Sequence, residues 1–319
     1  MDLAVAVAGL AILLGAGDAL VRGAVALSLR LGVPALIVSL TVVAFGTSAP
    51  ELLIAVQGAA AGANGIVFGN VVGSNIANIL LVLGAPALIS RLDARESDCF
   101  RTYLLMMAAS VLFIALCWAG PLGPPQGAIL LAVLGYMLWD AWRTAQAHRA
   151  AGAAEAELAE GVELDAAREP RWRIALYLVA GLIGLPAGAH MLIDGARGVA
   201  GAAGVSEAAI GLTLVAVGTS LPELATTVAA ALRRHADVAI GNVIGSNLFN
   251  LVAVMGAASL VAPLEAPARF LHVDLWVMLA ASAILLPFVR RVAVMGRRVG
   301  AAFLALYLVY AATAFSPAL

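Results

Sequence analysis

The chain has 319 residues, of which 63% are hydrophobic and 12% are charged, and its formal net charge is −1. Soluble domains are about half apolar and about a quarter charged, so this composition excludes an ordinary water-soluble protein and indicates an integral membrane protein. The near-neutral charge argues against a nucleic-acid partner. The sequence shows no obligate protein partner, and the lipid bilayer is the expected environment.

Long apolar runs follow one another along the chain, each long enough for a membrane-spanning helix of about 20 residues. They predict an all-α integral membrane protein with ten transmembrane helices. In chain order the predicted helices are 2–30, 34–62, 65–90, 101–119, 125–146, 171–201, 206–232, 238–262, 269–289 and 299–316. The acidic, alanine-rich segment 147–170 predicts a solvated linker between two halves, residues 1–146 and 171–319.

The basic residues are distributed unevenly between the predicted loops. Most of the arginines lie in odd-numbered loops, and Arg269 alone lies in an even-numbered one. Because arginine-rich loops stay in the cytoplasm, the odd-numbered loops and the linker are predicted to be cytoplasmic. Both termini are then predicted to lie outside, in a multi-pass protein of the cell (inner) membrane. Asp18 and Arg22 lie inside the first helix at i, i+4 spacing, which predicts a local ion pair.

A shift of 172 residues aligns the two halves with each other. GTSAPE at 46–51 recurs as GTSLPE at 218–223, and GNVVGSNIAN at 69–78 recurs as GNVIGSNLFN at 241–250. The matching residues are Gly, Thr, Ser, Pro, Glu and Asn, which chance similarity between two apolar segments would not produce. Since each half holds five predicted helices, the second copy must enter the membrane from the opposite side. The sequence therefore predicts two inverted five-helix repeats with a site near the midplane.

The first duplicated motif combines a helix breaker with an acid. Pro50 has no N–H and its ring displaces the carbonyl four residues earlier, which predicts a helix that breaks at 46–48 and restarts at Pro50. We expect the break to leave the carbonyls of 44–46 free, and Thr47 to share a face with Glu51. The second copy repeats this arrangement with Ala216, Thr219, Pro222 and Glu223. Ser48 and Ser220 are predicted to be helix caps rather than ligands.

The second duplicated motif supplies further oxygen atoms. Its polar residues recur at i, i+4 and i+8, so they form one stripe on a helix. The stripes consist of Asn70, Ser74 and Asn78 in the first half and of Asn242, Ser246 and Asn250 in the second. The accompanying glycines predict close helix contact at Gly69, Gly73, Gly241 and Gly245.

Together the motifs predict a cation site made of oxygen ligands, with Glu51 and Glu223 as its two acids. Neither motif contains His or Cys, and all-oxygen sites suit hard cations such as Ca²⁺. Carboxylates within a membrane usually mark an ion path. Two facing carboxylates repel each other, and a divalent cation or two monovalent cations would neutralise both.

At these residues the sequence resembles the cation/calcium antiporter superfamily, most closely the prokaryotic sodium/calcium exchangers. The two motif pairs are similar to the two alpha repeats of that family. The resemblance implies a transporter rather than an enzyme, which exchanges Na⁺ for Ca²⁺ by alternating access and needs no cofactor beyond the transported ions. It also implies ten helices, of which helices one and six slide past a rigid body of the other eight.

The resemblance further implies roles for individual residues. Glu51 and Glu223 would be the central Ca²⁺ ligands and would be shared with Na⁺, while Thr47 and Thr219 would contribute ligands to both ions. The flanking Na⁺ sites would be completed by Ser74 and Ser246 with the carbonyls of Ala44 and Ala216, and the middle site would be lined by Asn78 and Asn250.

Other functions remain open at this level. Some family members carry Asp at the position of Asn250, so Asn in both halves puts K⁺ co-transport in doubt. Exchange of Ca²⁺ or another divalent cation against H⁺ is the alternative to Na⁺ coupling. A membrane-embedded enzyme would need interfacial acidic motifs or a His-rich metal site, and neither pattern is present in the sequence. A tight site with two carboxylates does not suit the rapid conduction of a channel.

Overall fold

The computed structural model describes residues 2–93, 99–150, 169–202 and 218–314, and nearly all of them are helical. These ranges contain no extended strand, only two isolated β-bridges, so the predicted all-α class is confirmed there. The helices in these ranges are α1 (Asp2–Leu31), α2 (Ala35–Thr47), α3 (Ala49–Ala60), α4 (Asn64–Ile89), α5 (Phe100–Ala119), α6 (Pro124–Ala150), α7 (Arg171–Ala202), α8 (Leu221–Leu232), α9 (Ala236–Val261), α10 (Phe270–Val289) and α11 (Arg297–Ala314).

Six of these helices are long and apolar enough to cross a membrane, and the bent pair α2 and α3 would make a seventh span. The pair covers the predicted helix 34–62 and bends by 46° between its two parts. Of the predicted helix 206–232, the described ranges contain only its second part, α8. Helix α6 continues to Ala150, so the segment predicted as a linker begins with helix at 147–150, while its remainder at 151–168 lies outside the described ranges.

Helices α1 and α7 are the longest of those described, with 30 and 32 residues. At about 1.5 Å per residue each exceeds the roughly 30 Å hydrocarbon thickness of a bilayer, so both must be tilted. They run antiparallel and touch through glycines. A Cβ atom on Gly188 would lie 2.7 Å from the amide nitrogen of Leu13, and one on Gly195 would lie 2.6 Å from the carbonyl oxygen of Asp2. The missing side chains thus let the two backbones meet directly.

Three hydrogen-bonded contacts join segments that are far apart in the sequence and that were predicted to lie in loops. The backbone of Leu92 pairs with that of Met295, and the backbone of Leu122 pairs with that of Leu264. The Arg149 guanidinium donates to the carbonyl of Leu31 at 2.6 Å. Each contact connects two loops that the arginine distribution places on the same side of the membrane.

Helices α4 and α9 form the centre of the molecule. The apolar window of α9 is buried along its whole length, and that of α4 is 72% buried. Gly245 of α9 lies against α2, where an added Cβ would come within 3.0 Å of the Leu40 Cα, as predicted for a close helix contact. Among the described residues, the nearest atom to an added Cβ on Gly69 is in the Phe270 ring at 3.9 Å, and none lies within 4 Å at Gly73. Close contact at these two glycines stays a prediction, because the segment that the 172-residue shift places opposite them, 208–216, lies outside the described ranges. The two helices that carry the polar stripes are therefore the ones most removed from lipid.

The two halves are not packed identically. Helix α1 lies on α8, so that a Cβ on Gly17 would be 2.9 Å from the Ala225 carbonyl oxygen and Ala225 is only 3% exposed. The predicted pair of Asp18 and Arg22 is present at 3.0 Å, and Arg233 at the end of α8 joins it at 2.6 Å. The residue of α3 that corresponds to Ala225 is Leu53, which is 58% exposed. Helix α1 therefore covers the second half at Ala225, whereas the equivalent face of the first half at Leu53 is exposed.

Candidate ion-binding site

The helix that carries GTSAPE breaks at Ser48, between the end of α2 at Thr47 and the start of α3. The predicted break is confirmed, but the prediction that the Ala44 carbonyl is left free is wrong. The Ser48 amide donates to this oxygen at 3.0 Å, and the Thr47 hydroxyl donates to it at 3.3 Å. Because the break begins only after Thr47, Ala44 keeps its intrahelical partner. Its role as a Na⁺ ligand stays a prediction, and Ala216 lies outside the described ranges.

Glu51 and Glu223 occupy equivalent places in the first turns of α3 and α8. Their exposed fractions are 1% and 0%, so both acids are enclosed by protein. The positive end of a helix dipole favours an anionic group in the first turn, which explains how the fold tolerates an acid there.

Ser48 and Ser220 stand at the N-cap positions of α3 and α8, as predicted, yet neither side chain makes a capping hydrogen bond. The Ser48 hydroxyl instead donates to Glu223 Oε1 across the two halves at 3.5 Å. Interpreting Ser48 as a cap therefore missed its contact with a site acid. Its position inside the duplicated motif was the signal that could have revealed this contact.

The predicted hydroxyl ligands also meet across the halves. Thr47 Oγ1 lies 3.4 Å from Ser246 Oγ, and both side chains are buried. Ser74 is buried as well, and its hydroxyl donates to the Val71 carbonyl at 3.2 Å while it accepts from Asn250 Nδ2 at 3.0 Å. Thr219 is half-buried and lies two residues before the start of α8. The structure thus brings predicted ligands of the first half, Thr47 and Ser74, into contact with predicted ligands of the second half.

Four asparagine amides meet where α4 contacts α9. Asn75 Nδ2 donates to the Asn247 carbonyl at 3.2 Å, and Asn247 Nδ2 returns a bond to the Asn75 carbonyl at 3.1 Å. Asn78 Nδ2 donates to Asn247 Oδ1 at 3.0 Å, and Asn250 Nδ2 donates to Asn75 Oδ1 at 3.2 Å. Asn75 and Asn247 were not predicted as site residues, although both lie in the duplicated GSN sequence.

Two π-helical turns begin at equivalent positions, Asn78–Val82 in α4 and Asn250–Val254 in α9. Such turns are rare and occur frequently at functional sites, because the wider backbone ring shifts the side chains that follow. Here each turn starts at a predicted ligand. No pattern in the sequence indicated these turns, since their apolar residues fit an ordinary α-helix equally well.

Several buried oxygen atoms of the two acids and of the asparagines in the second motif accept no hydrogen bond from the described residues. Six of them form three pairs that the 172-residue shift relates. These atoms are Glu51 Oε2 and Glu223 Oε2, Asn70 Oδ1 and Asn242 Oδ1, and Asn78 Oδ1 and Asn250 Oδ1. A buried acceptor without a partner costs about 1–3 kcal/mol, so a set of this size calls for a ligand. A hard cation, which takes only oxygen atoms, fits the set.

The fold and the site define a polytopic membrane protein with two buried carboxyl groups and buried neutral oxygen atoms, a set that fits a hard cation. The sodium/calcium exchanger protein family matches residues 1–142 and 173–316, and the chain belongs to this family.

Two relatives and one solved structure show how far this similarity extends. The putative antiporter CaxA of Alkalimonas amylolytica is 36% identical over 280 residues, which cover 87% of this chain and 86% of the relative. The inner membrane protein YrbG of Escherichia coli (strain K12) is 34% identical over 282 residues, which cover 88% and 86%. A structure of the sodium-calcium exchanger NCX_Mj soaked with Na⁺ and Sr²⁺ superposes with a TM-score of 0.83 at 31% identity, over 98% of both chains. The chain is therefore a multi-pass membrane transporter of the cation/Ca²⁺ antiport type.

Proposed function

We propose that the protein exchanges Na⁺ for Ca²⁺ across the cell membrane by alternating access. The observation that carries the proposal is the set of unpartnered oxygen atoms around Glu51 and Glu223. Two carboxylates carry a charge of −2, which one Ca²⁺ neutralises and which Na⁺ ions can replace. Because both acids are buried, an empty site leaves two desolvated charges facing each other. The protein is then expected to change between its two open states only when the site holds ions.

The proposed ligands are those that the family resemblance implies. The acids hold Ca²⁺ centrally, with hydroxyl, amide and backbone oxygen atoms around them. The neutral contributors are Thr47, Thr219, Ser74, Ser246, Asn78 and Asn250, with the carbonyls of Ala44 and Ala216. The contacts of Thr47 with Ser246 and of Ser74 with Asn250 support a shared site, because each joins a ligand from one half to a ligand from the other.

We further propose ten membrane helices arranged as two inverted repeats, residues 1–146 and 171–319, joined by a cytoplasmic linker at 147–170. Antiparallel packing of the equivalent helices α1 and α7 supports inversion of the second repeat. The contacts of Leu92 with Met295 and of Leu122 with Leu264 each join two loops that were predicted to lie on the same side of the membrane. They therefore support the predicted alternation of successive loops between the two sides. With the arginine-rich loops inside, both termini lie outside the cytoplasm.

Alternating access is supported by the unequal packing of the two halves. Helix α1 covers the α8 face at Ala225, and the Asp18–Arg233 ion pair closes the cytoplasmic end of that contact. The equivalent α3 face at Leu53 is open toward the loop proposed to lie outside. Sliding the paired α1 and α7 would exchange the covered face for the open one.

The function is tested in sealed proteoliposomes that contain the purified protein. Vesicles loaded with Na⁺ are diluted into Na⁺-free medium with ⁴⁵Ca²⁺, and we expect Ca²⁺ uptake that K⁺ or Li⁺ loading does not support. A second arm replaces the Na⁺ gradient with a pH gradient at equal Na⁺ on both sides. Uptake driven by the pH gradient alone would identify the H⁺-coupled alternative. Absence of uptake in both arms would contradict Ca²⁺ antiport.

Replacing Asn250 by Asp is expected to make Ca²⁺ transport dependent on pH while retaining part of the activity. Asn250 Nδ2 donates to Asn75 Oδ1 and to Ser74 Oγ, and an ionised aspartate has no hydrogen to donate to Asn75. The new acid therefore keeps a proton to make this bond, or repels its neighbour when ionised. Initial ⁴⁵Ca²⁺ uptake between pH 6 and pH 9, compared with the parent protein, measures the effect. Superimposable pH profiles would contradict the assigned amide orientation.

A further inference from the structure

Four buried asparagines form what we call the asparagine clasp, which consists of Asn75, Asn78, Asn247 and Asn250. Two of them, Asn78 and Asn250, are proposed ion ligands. The other two belong to no ligand set implied by the sequence or by the family resemblance. The hydrogen bonds of Asn75 and Asn247 indicate a role for these two residues, and this role rests on the proposed cation site.

The amide orientation of Asn75 and Asn247 is determined by backbone carbonyls. Asn75 Nδ2 bonds to the carbonyl of Asn247, and Asn247 Nδ2 bonds to the carbonyl of Asn75. A carbonyl can only accept, so the NH₂ end of each side chain must face it. The Oδ1 atom of each side chain therefore faces the other way, toward the neighbouring member of the clasp.

This first pair then determines the orientation of the second. Oδ1 of Asn247 can only accept, and Asn78 Nδ2 donates to it at 3.0 Å. Oδ1 of Asn75 receives Asn250 Nδ2 in the same way at 3.2 Å. The NH₂ ends of Asn78 and Asn250 are thus held inside the clasp, while their Oδ1 atoms are buried without a hydrogen-bond partner in the described residues.

The orientation matters because an amide has one end that attracts cations and one that repels them. Rotation of Asn78 or Asn250 by about 180° around its last side-chain bond would exchange an acceptor oxygen for two N–H donors. The shape would hardly change, so packing alone does not select the productive orientation. A hydrogen-bond partner that only accepts does select it.

We propose that Asn75 and Asn247 are positioning residues that keep the amide oxygen atoms of Asn250 and Asn78 directed at the transported cation. Each acts on the ligand of the opposite half, so the clasp couples the two halves through their ligands. Neither positioning residue binds the ion itself. The arrangement is two-fold symmetric, and it orients one neutral oxygen ligand from each half.

The first test compares two substitutions at one position by equilibrium ⁴⁵Ca²⁺ binding to the purified full-length protein. Asn75→Leu has a similar volume but removes both the donor and the acceptor. Asn75→Asp in its protonated form keeps both, a carbonyl oxygen that accepts from Asn250 Nδ2 and a hydroxyl that donates to the Asn247 carbonyl, so the variants are compared at the lowest pH at which the parent protein binds Ca²⁺. A neutral hydrogen bond contributes about a factor of five to ten, so we expect Asn75→Leu to raise the half-saturating Ca²⁺ concentration by about that factor. Asn75→Asp is expected to stay within about twofold of the parent protein.

The second test is a double-mutant cycle that uses the crossed pairing of the clasp. If Asn75 acts through Asn250, adding Asn75→Leu to Asn250→Ala should change the half-saturating Ca²⁺ concentration by less than about twofold. Adding Asn75→Leu to Asn78→Ala is the matched control, and there the two effects should multiply. The roles are expected to exchange for Asn247→Leu, with Asn78→Ala as the coupled background and Asn250→Ala as the control.

Equal losses from Asn75→Leu and Asn75→Asp, or multiplying effects in both backgrounds, would show only a structural tie between α4 and α9 and would overturn the proposal. Size-exclusion profiles identify variants that do not fold, and in that case the smaller Asn75→Ala replaces Asn75→Leu in the cycle. Parent protein without saturable Ca²⁺ binding would overturn the proposed function together with the clasp. Normal parent binding with uncoupled variants would overturn the clasp alone.

Discussion

Replacing Glu51 or Glu223 by glutamine is expected to reduce Na⁺-driven Ca²⁺ uptake to background, a loss of at least about 100-fold. Glutamine keeps the shape of the side chain but removes one of two buried charges. Removing one partner from a buried charged pair costs about 3–5 kcal/mol, and in the proposed site the partner of each acid is the divalent ion. Initial rates of ⁴⁵Ca²⁺ uptake in Na⁺-loaded vesicles measure the loss.

A second readout separates lost binding from lost folding. The acids are 1% and 0% exposed, so the ion-free parent protein contains two desolvated carboxyl groups that a glutamine would relieve. Each variant should therefore unfold at an equal or higher temperature than the ion-free parent protein, yet gain no stability from added Ca²⁺. Glu265→Gln is the matched control, because this glutamate is exposed in a loop, and it should retain parent uptake. Parent-like uptake by both Glu51→Gln and Glu223→Gln would contradict the site.

Replacing Gly9 by alanine is expected to destabilise the protein by about 1–3 kcal/mol and to impair transport with it. The new methyl group would lie 2.9 Å from the carbonyl oxygen of Gly188 and would meet the amide nitrogen of Leu192. Both neighbours are backbone atoms, so no side chain can rotate away, and α1 must move off α7. Thermal unfolding in detergent measures the stability, and vesicle uptake measures the consequence for transport.

Gly15→Ala is the matched control on the same helix. A Cβ at Gly15 meets no atom of the described residues within 4 Å, so the substitution should be neutral, or stabilising by up to about 1 kcal/mol through helix propensity. The two variants have the same composition and hydropathy. They differ only in the surroundings of the new methyl group, which meets the backbone of α7 in Gly9→Ala and no described atom in Gly15→Ala. Equal unfolding temperatures for Gly9→Ala and Gly15→Ala would show that close α1–α7 contact is not required.

The sequence predicted correctly those features that depend on residues close together in the chain. Apolar runs of sufficient length located the helices, because a bilayer requires a fixed length of apolar helix whatever surrounds it. Pro50 of GTSAPE indicated the break that the structure places at Ser48, since a missing N–H acts on the same turn of the chain. The duplicated motifs also identified the two acids, which the structure buries at equivalent helix starts.

The remaining features depend on distances between residues about 170 to 210 positions apart in the chain. The bonds of Asn75 with Asn247 and of Thr47 with Ser246 require the crossing of helices that no periodicity encodes. The Ala44 carbonyl was wrongly predicted to lack an intrahelical partner, because the position of a break within one turn depends on the packing around it. The duplicated motifs are nearly symmetric and so cannot indicate which half is covered. Only the tertiary structure decided that α1 packs on α8 while the α3 face at Leu53 stays open, since one helix pair cannot cover both faces at once.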